Sequence, residues 1–209
     1  MRRTHQLLVV SGLLVATVAP AAGEEDERRL TLAGQVALVT VDAYGTSDTN
    51  EAYGGALSFA WGARDWLDVG AEVAYLVRPN ATLQGAVVDG VGGEDFVLYT
   101  NFHAVELASE ARFAFIGWPF HRLRPILGVR AGVAYRLLAD PQLFDATGGT
   151  VLSANAESGF VPLAGATAGM SYRLSDGFQV AAMVTTSFAA EHQVVGLQLD
   201  VSWLTYRLF

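Results

Sequence analysis

The sequence predicts an all-β protein, an eight-stranded antiparallel up-and-down transmembrane β-barrel. Near the C-terminus, apolar residues at positions 195, 197, 199, 201 and 203 alternate with polar or small ones, which is the period-two pattern of a strand with two different faces. Similar segments recur at regular spacing, separated by turn-forming residues. The chain of 209 residues is 52% hydrophobic, yet after the first 22 residues no apolar stretch approaches the roughly 18 residues that indicate a membrane-spanning helix. Alternating strands reconcile these facts, because each strand is modestly apolar while the whole barrel is strongly so.

The first 22 residues have the three parts of a secretory signal peptide. Arg2 and Arg3 give a basic start, an apolar run extends from Leu7 to Val18, and Ala19-Pro20-Ala21 supplies small residues at the expected cleavage point. The run is too short to be a membrane-spanning helix, which needs about 20 residues. We therefore expect residues 1–22 to be removed after export and residues 23–209 to form a single β-barrel domain.

Eight strands are predicted, at about 30–44, 54–63, 66–77, 96–115, 126–138, 160–174, 178–190 and 194–209. The first is apolar on both faces, so its inward face cannot be assigned. The second and third alternate large apolar residues with small or acidic ones, and the tight connection Arg64-Asp65 joins them. The fourth carries Glu and Arg between its apolar positions, which indicates an apolar and a charged face.

The fifth to eighth strands continue this pattern. Pro119 and Pro125 interrupt the ladder after the fourth strand, and the fifth then places two arginines on its polar face. The sixth is rich in small residues and leads through the turn signal Ser175-Asp176-Gly177 into the seventh. The eighth completes an even number of strands.

The predicted connections alternate in length, as they do in outer-membrane barrels. Short turns at 64–65, 117–124 and 175–177 alternate with longer segments at 45–52, 78–95 and 139–159, and the last connection, at 191–193, is short again. An even number of strands places both termini at the end with the short turns. The longer segments are acidic and the opposite end holds most of the arginines, which supports this sidedness.

Composition restricts the chemistry further. The formal net charge is −8, and the 13 basic residues are arginines that form no basic stripe for nucleic acid. The absence of cysteine excludes disulfides, thiolate metal sites and cysteine nucleophiles. The histidines lack the spacing of a metal site, and we predict neither a metal nor a cofactor.

Charged residues on the inward faces form the candidate site. Pairing across the 117–124 turn would place Glu106 near Arg136 and Arg112 near Arg130. The predicted lumen charge network consists of Glu72, Glu106, Glu110, Arg112, Arg130, Arg136 and Asp200. Because side chains roughly fill an eight-stranded barrel and buried charges must be paired, we expect a salt-bridged plug.

The whole mature chain resembles the small eight-stranded outer-membrane β-barrels of Gram-negative bacteria, of the OmpA-like and OmpW-like type. The resemblance rests on the signal peptide, the strand Arg124–Tyr135 and the terminal Phe209. It implies a monomeric outer-membrane protein that is exported by its signal peptide and surrounded by outer-membrane lipid and lipopolysaccharide. It also implies that Phe209 is the signal read by the barrel-assembly machinery.

These observations favour a non-enzymatic barrel that stabilises the envelope or presents surface loops, and three alternatives stay open. The plug could rearrange to open a narrow channel for small, including apolar, solutes. Some barrels of this type modify lipid A with Ser and His at the outer rim, for which Ser187, His103 and His192 are candidates. A soluble periplasmic lipocalin-like barrel would bind a ligand, and its apolar faces would have to point inward.

Overall fold

A computed structural model of the chain describes residues 27–64, 66–115 and 122–205. Its strands are β1 (Arg28–Ala43), β2 (Thr46–Arg64), β3 (Leu67–Gln84), β4 (Val87–Val88), β5 (Val91–Gly92), β6 (Val97–Ala114), β7 (Leu123–Phe144), β8 (Thr150–Ser153), β9 (Glu157–Ser175), β10 (Phe178–Ala189) and β11 (His192–Thr205). Within these ranges no helix is long and apolar enough to cross a membrane. The expected signal peptide, Phe209 and most of the 117–124 turn lie outside the described residues.

Eight of these strands form one closed ring. Neighbours pair antiparallel in the order β1, β2, β3, β6, β7, β9, β10 and β11, and β11 pairs with β1 along most of its length. A sheet that returns to its first strand leaves no edge for another chain to pair with. The predicted all-β fold with eight antiparallel up-and-down strands is therefore confirmed, and each ring strand corresponds to one predicted strand.

The two faces of the ring strands differ as the alternation predicts. Large apolar side chains such as Leu57, Leu107 and Leu199 point outward and are more than half exposed. Inward positions near the middle of the ring and near the end where β1 begins are mostly small, polar or charged, whereas those near the other end include large apolar residues, and most inward positions are buried. Strand β1, whose inward face the sequence left open, turns Ala33 and Ala37 inward and its leucines outward. The narrow interior of an eight-stranded barrel accounts for this choice, because it accepts small side chains most readily.

The two ends of the barrel are unlike each other. We call the end with the connections 44–45, 85–96, 145–156 and 190–191 the loop end, and the opposite end, with Arg28 and Thr205, the terminal end. The β1–β2 connection at the loop end is a two-residue turn, Tyr44-Gly45, in which both residues have positive φ values of 50° and 76°. That conformation matches the twist of a tight hairpin.

The strands extend further toward the loop end than the sequence predicted. Segments 46–52, 79–84 and 139–144, expected in long connections, belong to β2, β3 and β7. Where β2 and β3 stop pairing through their backbones, the Asn50 side chain donates from Nδ2 to the Thr82 carbonyl and accepts from the Thr82 N–H, each at 3.0 Å. Polar residues that complete a sheet in this way are also the residues typical of loops. This explains why the sequence placed these strand ends in the connections.

An apolar core fills the lumen at the loop end. Its buried members are Ala37, Val39, Val41, Ala43, Ala52, Leu76, Ala81, Leu83, Ala86, Val88, Leu98, Phe102, Ala104, Leu138, Leu143 and Val194. The side chains of Leu76, Phe102 and Leu138 are fully buried there. Ala86 and Val88 join the core from the 85–96 connection, so this connection packs onto the lumen instead of standing free in solvent.

Candidate functional site

Among the described residues, ion pairs in the lumen form three groups, the third of them around Arg136. The group that we call the central plug consists of Glu72, Glu106, Glu110, Arg112, Arg130 and Asp200, carried by β3, β6, β7 and β11. Each of these six side chains is at most 8% exposed. The second group lies at the terminal end, where Arg29 contacts Asp68 and Arg173 contacts Glu27, each at 2.9 Å.

Arg130 joins two carboxylates from neighbouring strands of the plug. Its Nη2 lies 2.6 Å from Glu106 Oε2, and its Nη1 lies 3.2 Å from Glu72 Oε1. Short contacts between ionised partners are the strong kind of hydrogen bond. A guanidinium this deeply buried needs such partners, because an unpaired charge in the interior costs several kcal/mol.

Arg112 joins three carboxylates on the other side of the plug. Its Nε lies 2.8 Å from Glu110 Oε1, its Nη1 3.2 Å from Asp200 Oδ2, and its Nη2 3.8 Å from Glu72 Oε2. Asp200 also accepts a hydrogen bond from Gln198 Nε2 at 2.9 Å. Glu72 therefore contacts both arginines and links the plug into one network.

The pairing of β6 with β7 differs from the expected one by two residues. Glu110 lies directly opposite Arg130, whereas Glu106 is opposite Ala134 and Arg112 is opposite Gly128. The expected pairings of Glu106 with Arg136 and of Arg112 with Arg130 are thus wrong. A slip of two residues keeps every side chain on the same face of the sheet, so the alternation that fixed the faces could not fix the register.

Arg136 belongs to a separate cluster near the loop end. Its Nη2 lies 2.9 Å from Glu157 Oε1 and 2.8 Å from Glu191 Oε2, and its Nη1 donates to the Asp42 carbonyl at 3.0 Å. Tyr44 lies close by, and its burial, assisted by the negative charge of Glu157, raises the pKa of its hydroxyl. The sequence-predicted network thus divides into the central plug and this cluster.

The residues considered for lipid A chemistry occupy two different places. Ser187 and His192 lie in the lumen, where Ser187 Oγ donates to Glu106 Oε1 at 3.0 Å and His192 Nε2 lies 3.8 Å from the same oxygen. His103 is on the outer face, 2.7 Å from the Tyr75 hydroxyl through Nδ1. Sequence reasoning assigned neither residue to the plug. His192 was expected in the 191–193 connection, whereas β11 begins with it, and Ser187 was considered only as a catalytic candidate at the outer rim.

Metal ligands are not gathered anywhere in the described ranges. No group of three or more His, Asp or Glu side chains there is arranged to hold a metal ion. The carboxylates of the plug instead face guanidinium groups, which occupy the positions that a cation would take. The chemistry that this arrangement supports is charge pairing and proton exchange.

Inward glycines make room for the plug, and Gly165 is the clearest case. A Cβ added at Gly165 would collide with the Thr186 carbonyl oxygen and lie 2.9 Å from Arg130 Cγ. We expect Gly165→Ala to lower the free energy of unfolding by about 1 to 3 kcal/mol, the usual effect of overpacking. Urea unfolding followed by tryptophan fluorescence measures this change.

Gly34 provides the matched control for that substitution. It also lies within a ring strand, but a Cβ there would meet nothing within 4 Å. Gly34→Ala should therefore leave the free energy of unfolding nearly unchanged, within about 0.5 kcal/mol. Equal losses in the two variants would contradict the packing of Arg130 against Gly165.

The solved structures with a similar fold include two of one protein and one of another. Ail, the attachment invasion locus protein of Yersinia pestis, is 14% identical, with 87% of this chain and 99% of Ail covered and a TM-score of 0.54. Ail in complex with the heparin analogue sucrose octasulfate is 13% identical, with 86% and 99% covered and a TM-score of 0.51. Neisserial surface protein A is 12% identical, with 87% and 99% covered and a TM-score of 0.59.

These similarities concern the fold alone. No protein-family model matches the chain, and no curated protein matches its sequence. The matched region takes in 99% of Ail and 99% of Neisserial surface protein A, and in this chain it includes the closed antiparallel ring. The fold is therefore that of the small eight-stranded outer-membrane β-barrels.

Proposed function

We propose that this protein is a non-enzymatic outer-membrane β-barrel with a closed lumen, which strengthens the envelope and presents its loop end to the cell exterior. The observation that carries the proposal is the outward face of the barrel. A band of half-exposed apolar side chains circles it, although large exposed apolar surfaces are rare on soluble monomers. Lipid would cover this band, so we place the protein in the outer membrane.

Aromatic side chains border the apolar band on both sides. Toward the loop end they are Tyr53, Tyr75, Tyr135 and Phe160, and toward the terminal end they are Trp61, Trp66, Phe113, Tyr172, Phe178 and Trp203. Along β2, Tyr53 and Trp61 are eight positions apart, and along β9, Phe160 and Tyr172 are twelve apart. At about 3.3 Å per residue and a tilt of about 40°, the band is roughly 20 to 30 Å tall. An outer-membrane barrel needs a band of about 25 Å.

Charge supports an orientation with the loop end outside. The connections and strand ends at the loop end carry Asp48, Glu51, Asp89, Glu94, Asp95, Asp140, Asp145, Glu157 and Glu191. The terminal end carries Arg28, Arg29, Arg64, Arg122, Arg124 and Arg173. Longer connections face the exterior in barrels of this fold. An acidic loop end repels polyanions, so we do not extend to this chain the heparin analogue with which Ail was solved.

The filled lumen supports a barrel without a permanent pore. From the terminal end inward, the described residues place ion pairs around Arg29 and Arg173, then the central plug, then the apolar core. A lipocalin-like ligand site would need the opposite arrangement, with the apolar faces inside. Catalysis is also disfavoured, because Ser187 and His192 are buried in the lumen while His103 faces outward.

Two measurements on the wild-type protein test this proposal. In a purified outer-membrane fraction, we expect the unboiled protein to migrate differently on a gel from the boiled protein, because a folded barrel resists detergent. In a planar lipid bilayer, we expect no discrete conductance. Recovery in the soluble periplasmic fraction without a gel shift would contradict the membrane location, and steady conductance would favour the channel alternative.

A further inference from the structure

The central plug contains more negative than positive groups. Its four carboxylates, Glu72, Glu106, Glu110 and Asp200, face only two guanidinium groups, those of Arg112 and Arg130. With every group ionised, the plug would thus carry two uncompensated negative charges. Because charges inside a low-dielectric interior are costly unless they are paired, a further positive group nearby would stabilise the plug.

His192 lies where it can supply that positive charge. Its side chain is fully buried, with Nε2 3.8 Å from Glu106 Oε1 and the Phe102 ring edge-on at 5.9 Å. Neither ring nitrogen has a hydrogen-bond partner among the described residues. Buried polar atoms are seldom left unpaired, and the polar atom that faces His192 Nε2 is the carboxylate oxygen Oε1 of Glu106, which also accepts a hydrogen bond from Ser187 Oγ.

The charges around His192 come from every strand near it and are acidic in sum. They are Glu106 on β6, Arg130 and Arg136 on β7, Glu157 on β9, and Glu191 in the turn before β11. Ser187 on β10 adds a hydroxyl on Glu106 Oε1, and Asp42 on β1 contributes its backbone carbonyl to Arg136. The side chain of Glu191 is 42% exposed, so solvent reaches the chain one residue before His192.

We propose that His192 is a proton-binding site whose protonation stabilises the ion-pair network of the central plug. The unprotonated ring nitrogen takes a proton from solvent, and the resulting imidazolium pairs with Glu106 and cancels one of the two excess charges. Acidification therefore stabilises the plug, and a rise in pH weakens it. This inference rests on the proposed closed lumen and adds its regulation.

The test compares the response to pH of two histidine variants. Thermal unfolding midpoints of the folded protein in detergent micelles are measured at about pH 8 and about pH 5.5. Between these values, we expect the wild-type midpoint to rise by about 3 °C or more, the shift that roughly 1 kcal/mol produces in a chain of this size. His192→Gln should lose most of this rise. His103→Gln, which removes a histidine from the outer face, should keep it.

A second variant tests the same site through its partner. Glu106→Gln keeps His192 but removes the carboxylate that the imidazolium would pair with, so it should also lose most of the rise in unfolding midpoint. This variant tests the proposal independently if His192→Gln does not fold. A full rise in either His192→Gln or Glu106→Gln would overturn the proposal. Steady conductance of the wild-type protein at both pH values would instead contradict the closed lumen, so the two failures are distinguishable.

Discussion

Replacing Arg130 by alanine is expected to lower the free energy of unfolding by about 3 to 5 kcal/mol, the usual cost of removing one partner from a buried ion pair. The guanidinium is the group that Glu106 contacts at 2.6 Å and Glu72 at 3.2 Å. Without it, Glu106 would lose its guanidinium partner, and Glu72 would keep only Arg112, at 3.8 Å. Urea titration of the protein refolded into phospholipid vesicles measures the loss.

A matched control separates this effect from the loss of a positive charge as such. Arg122 is an exposed arginine at the terminal end, and Arg122→Ala should change the free energy of unfolding by no more than about 0.5 kcal/mol. The double variant Arg130→Met with Glu106→Gln should be more stable than Arg130→Ala, because it leaves one fewer buried charge unpaired. A loss below about 1 kcal/mol for Arg130→Ala would mean that the plug is hydrated and that its ion pairs contribute as little as surface pairs do.

The same variant addresses the channel alternative. If Arg130 holds a gate closed, Arg130→Ala should produce discrete conductance steps in a planar bilayer where the wild-type protein is silent. Silence of both proteins would exclude a gate at Arg130 and leave a purely structural plug.

The strands and their number could be predicted because alternation is a local signal. A strand whose two faces meet different surroundings alternates with period two, and most of the eight ring strands do so clearly. Strand β1 does not, because it is apolar on both faces, and its inward face could not be assigned from the sequence. The strand ends at the loop end were less predictable. Asn50 there acts as a substitute for backbone pairing with β3, and no local pattern distinguishes that role from a loop residue.

The sequence predicted which side chains of the candidate site face the lumen, but not which of them contact each other. Alternation alone assigned Glu106, Arg112 and Arg130 to the lumen, yet a two-residue slip of β6 against β7 leaves that assignment unchanged and alters every pair. The contacts of His192 and Ser187 with Glu106 depend on closing the ring between β11 and β1 and on the compact 190–191 turn. Those are long-range features that no segment of the sequence carries by itself.

Leu199→Arg is expected to destabilise the barrel by about 2 to 4 kcal/mol in lipid, the cost of an arginine on the lipid face near the middle of the bilayer. Leu199 is 67% exposed on the outer face of β11, four positions from Trp203 at the terminal-end border of the band. Its cross-strand neighbours are the small residues Gly34 and Ala182, so the longer side chain meets no steric obstacle. The expected loss in free energy of unfolding therefore depends on whether lipid or water surrounds position 199, and not on how the side chain packs.

Val87→Arg supplies the comparison that makes this result decisive. Val87 is also an exposed apolar residue, at 44%, but it lies in the hairpin β4–β5 at the loop end, beyond the aromatic border. In the same urea titration in vesicles, we expect the free energy of unfolding of this variant to lie within about 0.5 kcal/mol of the wild-type value. In a barrel surrounded by water, both positions would be solvated and both arginines would be tolerated. A large loss at Leu199 alone therefore requires lipid around the band, and equal tolerance at both sites would remove the physical basis for placing this barrel in a membrane.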